Sequence, residues 1–228
     1  MSSGNDIPFE IIFVGYSPPE EEMPSNFQYI FSKVKPSQCI EIALRKAVGD
    51  FIVFAVDDET FSDDYLNILE SHVSKYKNDP IFFGSRYKYG GRIIDRILKF
   101  DLSDKTSPKL GLAACVKRNL LIDSGGIDKR FISGACDMDV QMRMYEMGNE
   151  LMIIPELFID EDIVGSDGYP FRRSFSLSGK YDLPLAYSLW KINGQMSNKR
   201  LSSVQSFLDK DILIISQGRN CYSSDRWV

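Results

Sequence analysis

Between Phe9 and Ser85 the chain alternates short apolar runs with stretches of helical periodicity, an order that restricts it to α/β architectures. FEIIFV, Phe9 to Val14, is a continuous apolar and β-branched run closed by Gly15 and the turn-rich SPPEEEMPS. FQYIFS, Phe27 to Ser32, is a second strand segment. Pro36-Ser37 then opens a helix with Cys39, Ile40, Ala43, Leu44 and Ala47 at helical spacing, ended by Gly49. FIVFAV, Phe51 to Val56, is the strongest strand signal and runs straight into Asp57-Asp58-Glu59. A helix starting near Ser62 or Asp63 turns Tyr65, Leu66, Ile68, Leu69 and Val73 inward, and the strand IFFGS follows. Apolar runs bounded by breakers suit buried parallel strands, and right-handed crossovers place helices on both faces. The expectation is a three-layer α/β/α sandwich around a largely parallel sheet.

Beyond Ser85 the pattern loosens. Arg86, Tyr87, Lys88, Tyr89, Gly90-Gly91 and Arg92 read as a basic, aromatic loop, suited to phosphate contacts or sugar stacking, or simply solvated. LGLAACVKR reads as a strand entering a turn, and Ser124-Gly125-Gly126-Ile127-Asp128 as a tight, glycine-permitted loop. Cys136 to Met147 has helical spacing, with Val140, Met144 and Met147 as its apolar positions. LMIIPELFI is a strand interrupted by Pro155, expected at an edge or end, and DILIIS is a further strand. With no internal repeat or low-complexity linker, residues 1–165 are expected to form the core and residues 166–228 a C-terminal extension packed on it.

Composition narrows the chemistry. The 228 residues carry a formal net charge of −5 and one histidine, His72, in a polar helical stretch. An acidic chain of this kind is not built for general nucleic-acid binding, and one histidine excludes an HExxH zinc site or a two-histidine iron centre. Cys39, Cys115, Cys136 and Cys221 form no CxxC pair, and read as reduced, partly buried thiols of a cytoplasmic protein. No basic region leads into an apolar run at the N-terminus, and no stretch reaches the length of a membrane span.

The acids carry the functional signal. Open α/β sheets bind ligands beyond the carboxyl ends of their strands, which is where Asp57-Asp58-Glu59 falls. Converging carboxylates repel each other unless a cation neutralises them, and hard oxygen donors favour Mg²⁺ or Mn²⁺, which in turn grips a diphosphate. The other reading of these acids is a solvated loop. In GGIDKRFISGACDMDVQMRMYEMG, Asp137 and Asp139 open a helix whose dipole favours them. Capping accounts for one; residues i and i+2 point to different sides, so the other can face a cleft.

With both clusters in order, the chain resembles the family 2 glycosyltransferases with the GT-A fold, over roughly residues 8 to 160. ALRKAVGDFIVFAVDDETFSDDYL looks like their passage into the DxD metal motif, with Glu59 in place of its final aspartate. CDMDVQMR resembles their Glu-Asp-x-Asp segment, with Cys136 at the usual Glu, Asp137 at the general base, Asp139 at the following acid and Arg143 at the helix arginine. Only seven residues precede Pro8, so the family's first strand–helix unit is expected to be missing here. The resemblance implies a fold of the nucleotide-diphospho-sugar transferase type. It also implies a metal-dependent, inverting glycosyltransferase that moves a sugar from a nucleotide-sugar donor to a carbohydrate or other hydroxyl acceptor. Asp57, Asp58 and Glu59 would hold Mn²⁺ or Mg²⁺, and Asp137 would be the catalytic base. Asp57 and Asp58, with Arg172 and Arg173 in a lid that also contains Lys180, would bind the donor. Two alternatives stand beside this reading: a nucleotidyltransferase, and a degenerate carbohydrate- or nucleotide-binding protein without turnover.

Overall fold

A computed structural model describes residues 7–56, 59–89, 92–94, 98–99, 109–110, 112–161, 172–190, 200 and 202–206. The first unit pairs β1 (Ile11–Gly15) in parallel with β2 (Phe27–Phe31), and α1 (Pro36–Lys46) packs across them through Ile42. Pro36 at the start of α1 costs no hydrogen bond there, because the first amides of a helix have no partner within it. After the helix, the Glu10 carboxylate accepts the Val48 and Gly49 amides at 2.7 and 3.0 Å.

The main sheet contains β3 (Phe51–Val53), β4 (Glu59–Phe61), β5 (Ile81–Tyr89), β6 (Arg92–Ile94), β9 (Leu112–Lys117) and β10 (Glu150–Glu161). Its order is β3-β9-β5-β10-β4, with β6 paired to β5, while β7 (Leu98–Lys99) and β8 (Lys109–Leu110) form a separate pair. Only β5 and β10 pair in parallel within the six strands, so the sheet is mixed rather than largely parallel. Because β9 runs antiparallel to both β3 and β5, strands β3, β5 and β10 nonetheless share one direction and one carboxyl end.

Side-chain alternation divides the core into two layers. Phe83, Cys115, Ile154 and Ile159 pack towards α2 (Tyr65–Tyr76) through Tyr65 and Leu69. Phe82 and Val116 face the opposite layer, which contains Leu44 of α1, Leu121 of α3 (Arg118–Asp123), Val140 and Met144 of α4 (Cys136–Glu146), and Ala186, Leu189 and Trp190 of α5 (Arg172–Trp190). This is the three-layer α/β/α sandwich, with α5 contributing to the core itself.

Several local expectations change. The strand expected over Phe51–Val56 ends at Val53, because the Val56 amide is drawn into a turn by the Glu59 carboxylate at 3.0 Å instead of joining a ladder. Arg86 to Tyr89 are not a loop but the close of β5, and Arg92 opens β6; Gly90 and Gly91 lie outside the described residues. Pro155 lies inside a continuous β10 flanked by β5 and β4, at a register shift between Ile154 and Phe158 where the missing N–H costs no ladder bond. Met147 is exposed beyond the end of α4, and Met142 takes a core position. Cys39, Cys115 and Cys136 are free thiols, whereas Cys221 and the DILIIS segment lie outside the described residues. No helix among the described residues is long and apolar enough to cross a membrane.

Candidate functional site

Helix α4 enters through a left-handed turn at Ala135 (φ 58°), an unfavourable conformation for a residue with a Cβ. The loop ahead of it is held from α5: the buried Asp182 carboxylate accepts the amides of Ile132, Ser133 and Gly134 at 2.8, 2.9 and 2.9 Å. Asp137 follows, half-buried, with its carboxylate accepting its own amide and that of Met138. Burial pushes its pKa above the ordinary 3.8, and the two amides moderate the rise. Cys136 beside it is a fully buried thiol pushed well up, first by burial and then by the charges of Asp137, Asp182 and Asp139. It takes no part as a nucleophile at neutral pH.

Asp139 points the other way, into the core. Its Oδ1 accepts Trp190 Nε1 at 2.9 Å and Arg200 Nε at 3.0 Å; its Oδ2 accepts Arg143 Nε at 3.1 Å. Arg143 also donates to Ser124 O, Ser124 Oγ and Gly126 O at 2.9, 2.8 and 2.7 Å. Asp128 completes the network, accepting Arg130 Nη2 at 2.7 Å and Arg200 Nη2 at 2.8 Å. The turn these groups grip requires glycine: Gly126 has φ +69°, and a Cβ there would meet Glu41 Oε2 at 2.6 Å. Glu41, fully buried on α1, accepts the Ile127 amide at 2.8 Å and Arg45 Nε at 2.8 Å.

The network has a pH signature. Burial alone would raise the Asp128 pKa, but hydrogen bonds from Arg130 and Arg200 and from the amides of Arg130 and Gln205 outweigh it and hold the group at about 2. A depressed carboxyl contributes stability above its unfolded pKa of 3.8 and loses it as pH falls through about 2. This amounts to about 2 kcal/mol for a side chain with no solvent exposure. The stability difference between wild type and Asp128→Asn should therefore shrink by about that amount between pH 5 and pH 2 in denaturant titrations. A difference independent of pH would remove Asp128 from the acid response.

Glu59 and the first turn of α4 both lie towards the carboxyl end of β10. α4 packs on β10 and joins it through the short turn Met147–Asn149, so it runs back along the strand and its first turn lies towards the carboxyl ends of β5 and β10. Glu59 pairs with Glu161 at the last position of β10, and so lies at that same end, on the edge strand β4. It shares the α2 side with Phe61, whereas Asp137 belongs to the α4 layer. Asp57 and Asp58 lie outside the described residues. Arg172 and Arg173 are the first two residues of α5, and residues 165–171, the start of the lid expected over Gly165 to Lys180, lie outside the described residues.

No protein-family model and no curated protein matches the sequence. Solved structures match in fold. S. aureus TarS 1–349 aligns at a TM-score of 0.51 and 16% identity, over 67% of this chain and 52% of that one. The same protein in complex with UDP-GlcNAc gives 0.51 and 16% over 78% and 59%. GalNAc-T7, solved with UDP, GalNAc and Mn²⁺, gives 0.51 and 14% over 67% and 37%. The present fold is GT-A-like. The chain thus spans between 37% and 59% of the length of these structures.

Within this GT-A-like frame the donor chemistry of the acid run suits a hard divalent cation, since consecutive Asp and Glu side chains offer only carboxylate oxygens. Glu59 is half-exposed, and its Oε2 accepts the Val56 amide. Among the described residues no group of three or more His, Cys, Asp or Glu side chains is placed to hold a metal ion. Sequence reasoning missed Asp128, Arg130, Asp182 and Arg200. Glu41 had a signal, a carboxylate between Ile40 and Ile42 on the apolar side of a helix. Arg200 had none, since its partners are 61 and 72 residues away.

Proposed function

We propose that this chain is a metal-dependent, inverting glycosyltransferase that takes a nucleotide-sugar donor. The observation that supports the reading is a fold like that of structures solved with UDP-GlcNAc or with UDP and GalNAc, in which Glu59 lies at the carboxyl end of β10 and α4, which carries Asp137, starts on the side that faces that end. Residues 1–165 would form the catalytic core and residues 166–228 an extension that closes the site. Asp137 would accept the proton of the acceptor hydroxyl as that oxygen bonds to the anomeric carbon and the bond from that carbon to the diphosphate oxygen breaks. Attack from the face opposite the leaving group inverts the carbon. Arg172 and Arg173 would bring positive charge to the diphosphate. Asp57, Asp58 and Glu59 would hold Mn²⁺ or Mg²⁺, which neutralises charge on the departing nucleoside diphosphate. A cytoplasmic location accords with the free thiols Cys39, Cys115 and Cys136.

Calorimetry with UDP, with and without Mn²⁺, tests the donor side. Asp57→Asn and Glu59→Gln each remove one anionic oxygen at almost constant shape. Each should weaken metal-dependent UDP binding about tenfold and leave the metal-free baseline unchanged. Unaltered affinity in both variants would remove these residues from metal coordination.

A further inference from the structure

β1 and β3 each keep one bare edge. The Ile11 amide donates to Asn26 O at 2.9 Å and the Ser32 amide to Gly15 O at 2.8 Å, so the odd-numbered residues of β1 turn their backbone groups to β2. In a parallel ladder the alternate residues present theirs on the far edge, which is where Ile12 and Val14 fall. On β3 the Arg118 amide donates to Asp50 O at 2.8 Å, which sets Ile52 towards β9 and Phe51 and Val53 away from it. Among the described residues no strand pairs with either bare edge, and no backbone hydrogen bond joins these four residues to another element along it.

The two edges border one opening. Glu10, just ahead of β1, accepts the amides of Val48 and Gly49, just ahead of β3. Because this tie comes from β1 and not from β2, the bare edge of β1 is the one on the β3 side. α1 lies over both strands: Ile42 packs with Val14, and Leu44 belongs to the layer that holds Ile52 and Phe54. The opposite face carries Phe13, stacked on Phe27 and Tyr29, together with Phe51 and Val53. Every residue of β1 and β3 is half-exposed, although all but Gly15 have apolar side chains. Bare apolar edges of this kind are templates for a further strand.

One run of the chain fits the opening. DILIIS, Asp211 to Ser216, has four apolar residues in succession, the pattern of a strand covered on both faces rather than one with a wet side. The chain leading to it lies close by: Ser206 Oγ donates to Gly125 O at 2.6 Å, and the adjoining Gly126 sits against Glu41 of α1. Ile212 is six residues beyond Ser206, a reach of up to about 20 Å, whereas a helix such as α1 is about 10 Å across.

We propose that Ile212 to Ile215 insert as a strand between β1 and β3 and join the two-stranded unit to the main sheet. The C-terminal extension then completes the core instead of merely covering it, whatever group the protein transfers.

Amide hydrogen exchange of the full chain, read residue by residue by magnetic resonance, tests this. The amides of Ile12, Val14, Phe51 and Val53 and those of residues 212–215 should exchange at least about 100-fold more slowly than in an unfolded chain. Cross-strand contacts should join residues 212–215 to β1 on one side and β3 on the other. A strand paired on both edges uses every amide, so Leu213→Pro removes a bond whichever way that residue faces, and should speed exchange at the four edge amides at least about tenfold while β5 and β10 keep their protection. Ile214→Thr, a milder change, should speed it in the same four positions, which keeps the test open if the proline variant does not fold. Free exchange at the four amides would overturn the proposal. So would protection that is lost on dilution, which assigns the opening to a second copy, and protection without contacts to residues 212–215, which assigns it to another segment.

Discussion

Replacing Asp137 with asparagine is expected to slow sugar transfer by about 10²–10⁴-fold while UDP affinity stays within about twofold. The substitution keeps size and polarity and removes only the charge proposed to take the acceptor proton. The half-buried side chain rests against two amides at the start of α4, and an asparagine oxygen can still accept them, so the unfolding midpoint should barely move. A second readout comes from pH. Because burial holds the Asp137 carboxyl above 3.8, the acid limb of the rate profile should lie above the range of an exposed aspartate and disappear in the variant. Near-wild-type transfer by Asp137→Asn would assign the proton to another group.

Asp139→Asn is expected to do the reverse, with a large loss of stability. Asp139 has no solvent exposure and is ion-paired to Arg143 and Arg200, whose side chains are 5% and 6% exposed. Removing its charge leaves two buried guanidiniums without that counter-charge, at a cost of about 3–5 kcal/mol and a fall in midpoint of about 10 °C. A cycle with Arg200→Gln locates the loss. If the pair is the source, the double variant should be more stable than the sum of the single effects predicts by at least about 1 kcal/mol. Strict additivity would place the loss elsewhere.

The opposite fates of Asp137 and Asp139 also mark how far the sequence could be read. Their i, i+2 spacing separates the two side chains, and helix periodicity around Val140 and Met144 places that helix on the core. The same periodicity located α1 and α2 closely, since each has one apolar stripe. Strand direction was less legible, because a short apolar run reads alike whether its neighbour is parallel or antiparallel. The hairpin of β5 and β6 carried an unheeded signal: Arg86, Tyr87, Lys88 and Tyr89 alternate ahead of Gly90-Gly91, as strands do before a tight turn. Arg200 could not be foreseen, because nothing near it in the chain indicates that it enters the core between Asp128 and Asp139.

That insertion fixes an order of events during synthesis. A ribosome adds residues one at a time from the N-terminus, so Asp128 and Asp139 leave it 72 and 61 residues before the arginine that joins them. In the interval Asp139 has Arg143 and Asp128 has Arg130 as cationic partners, but the contacts from Arg200 to Asp128 and Asp139 and from Gln205 to the Asp128–Lys129 turn have yet to form. Those bonds form only once Arg200 and Gln205 have been made. Completion of this part of the fold is a late, long-range event, and a chain stalled before residue 200 has Asp128 and Asp139 each short of one buried cationic partner.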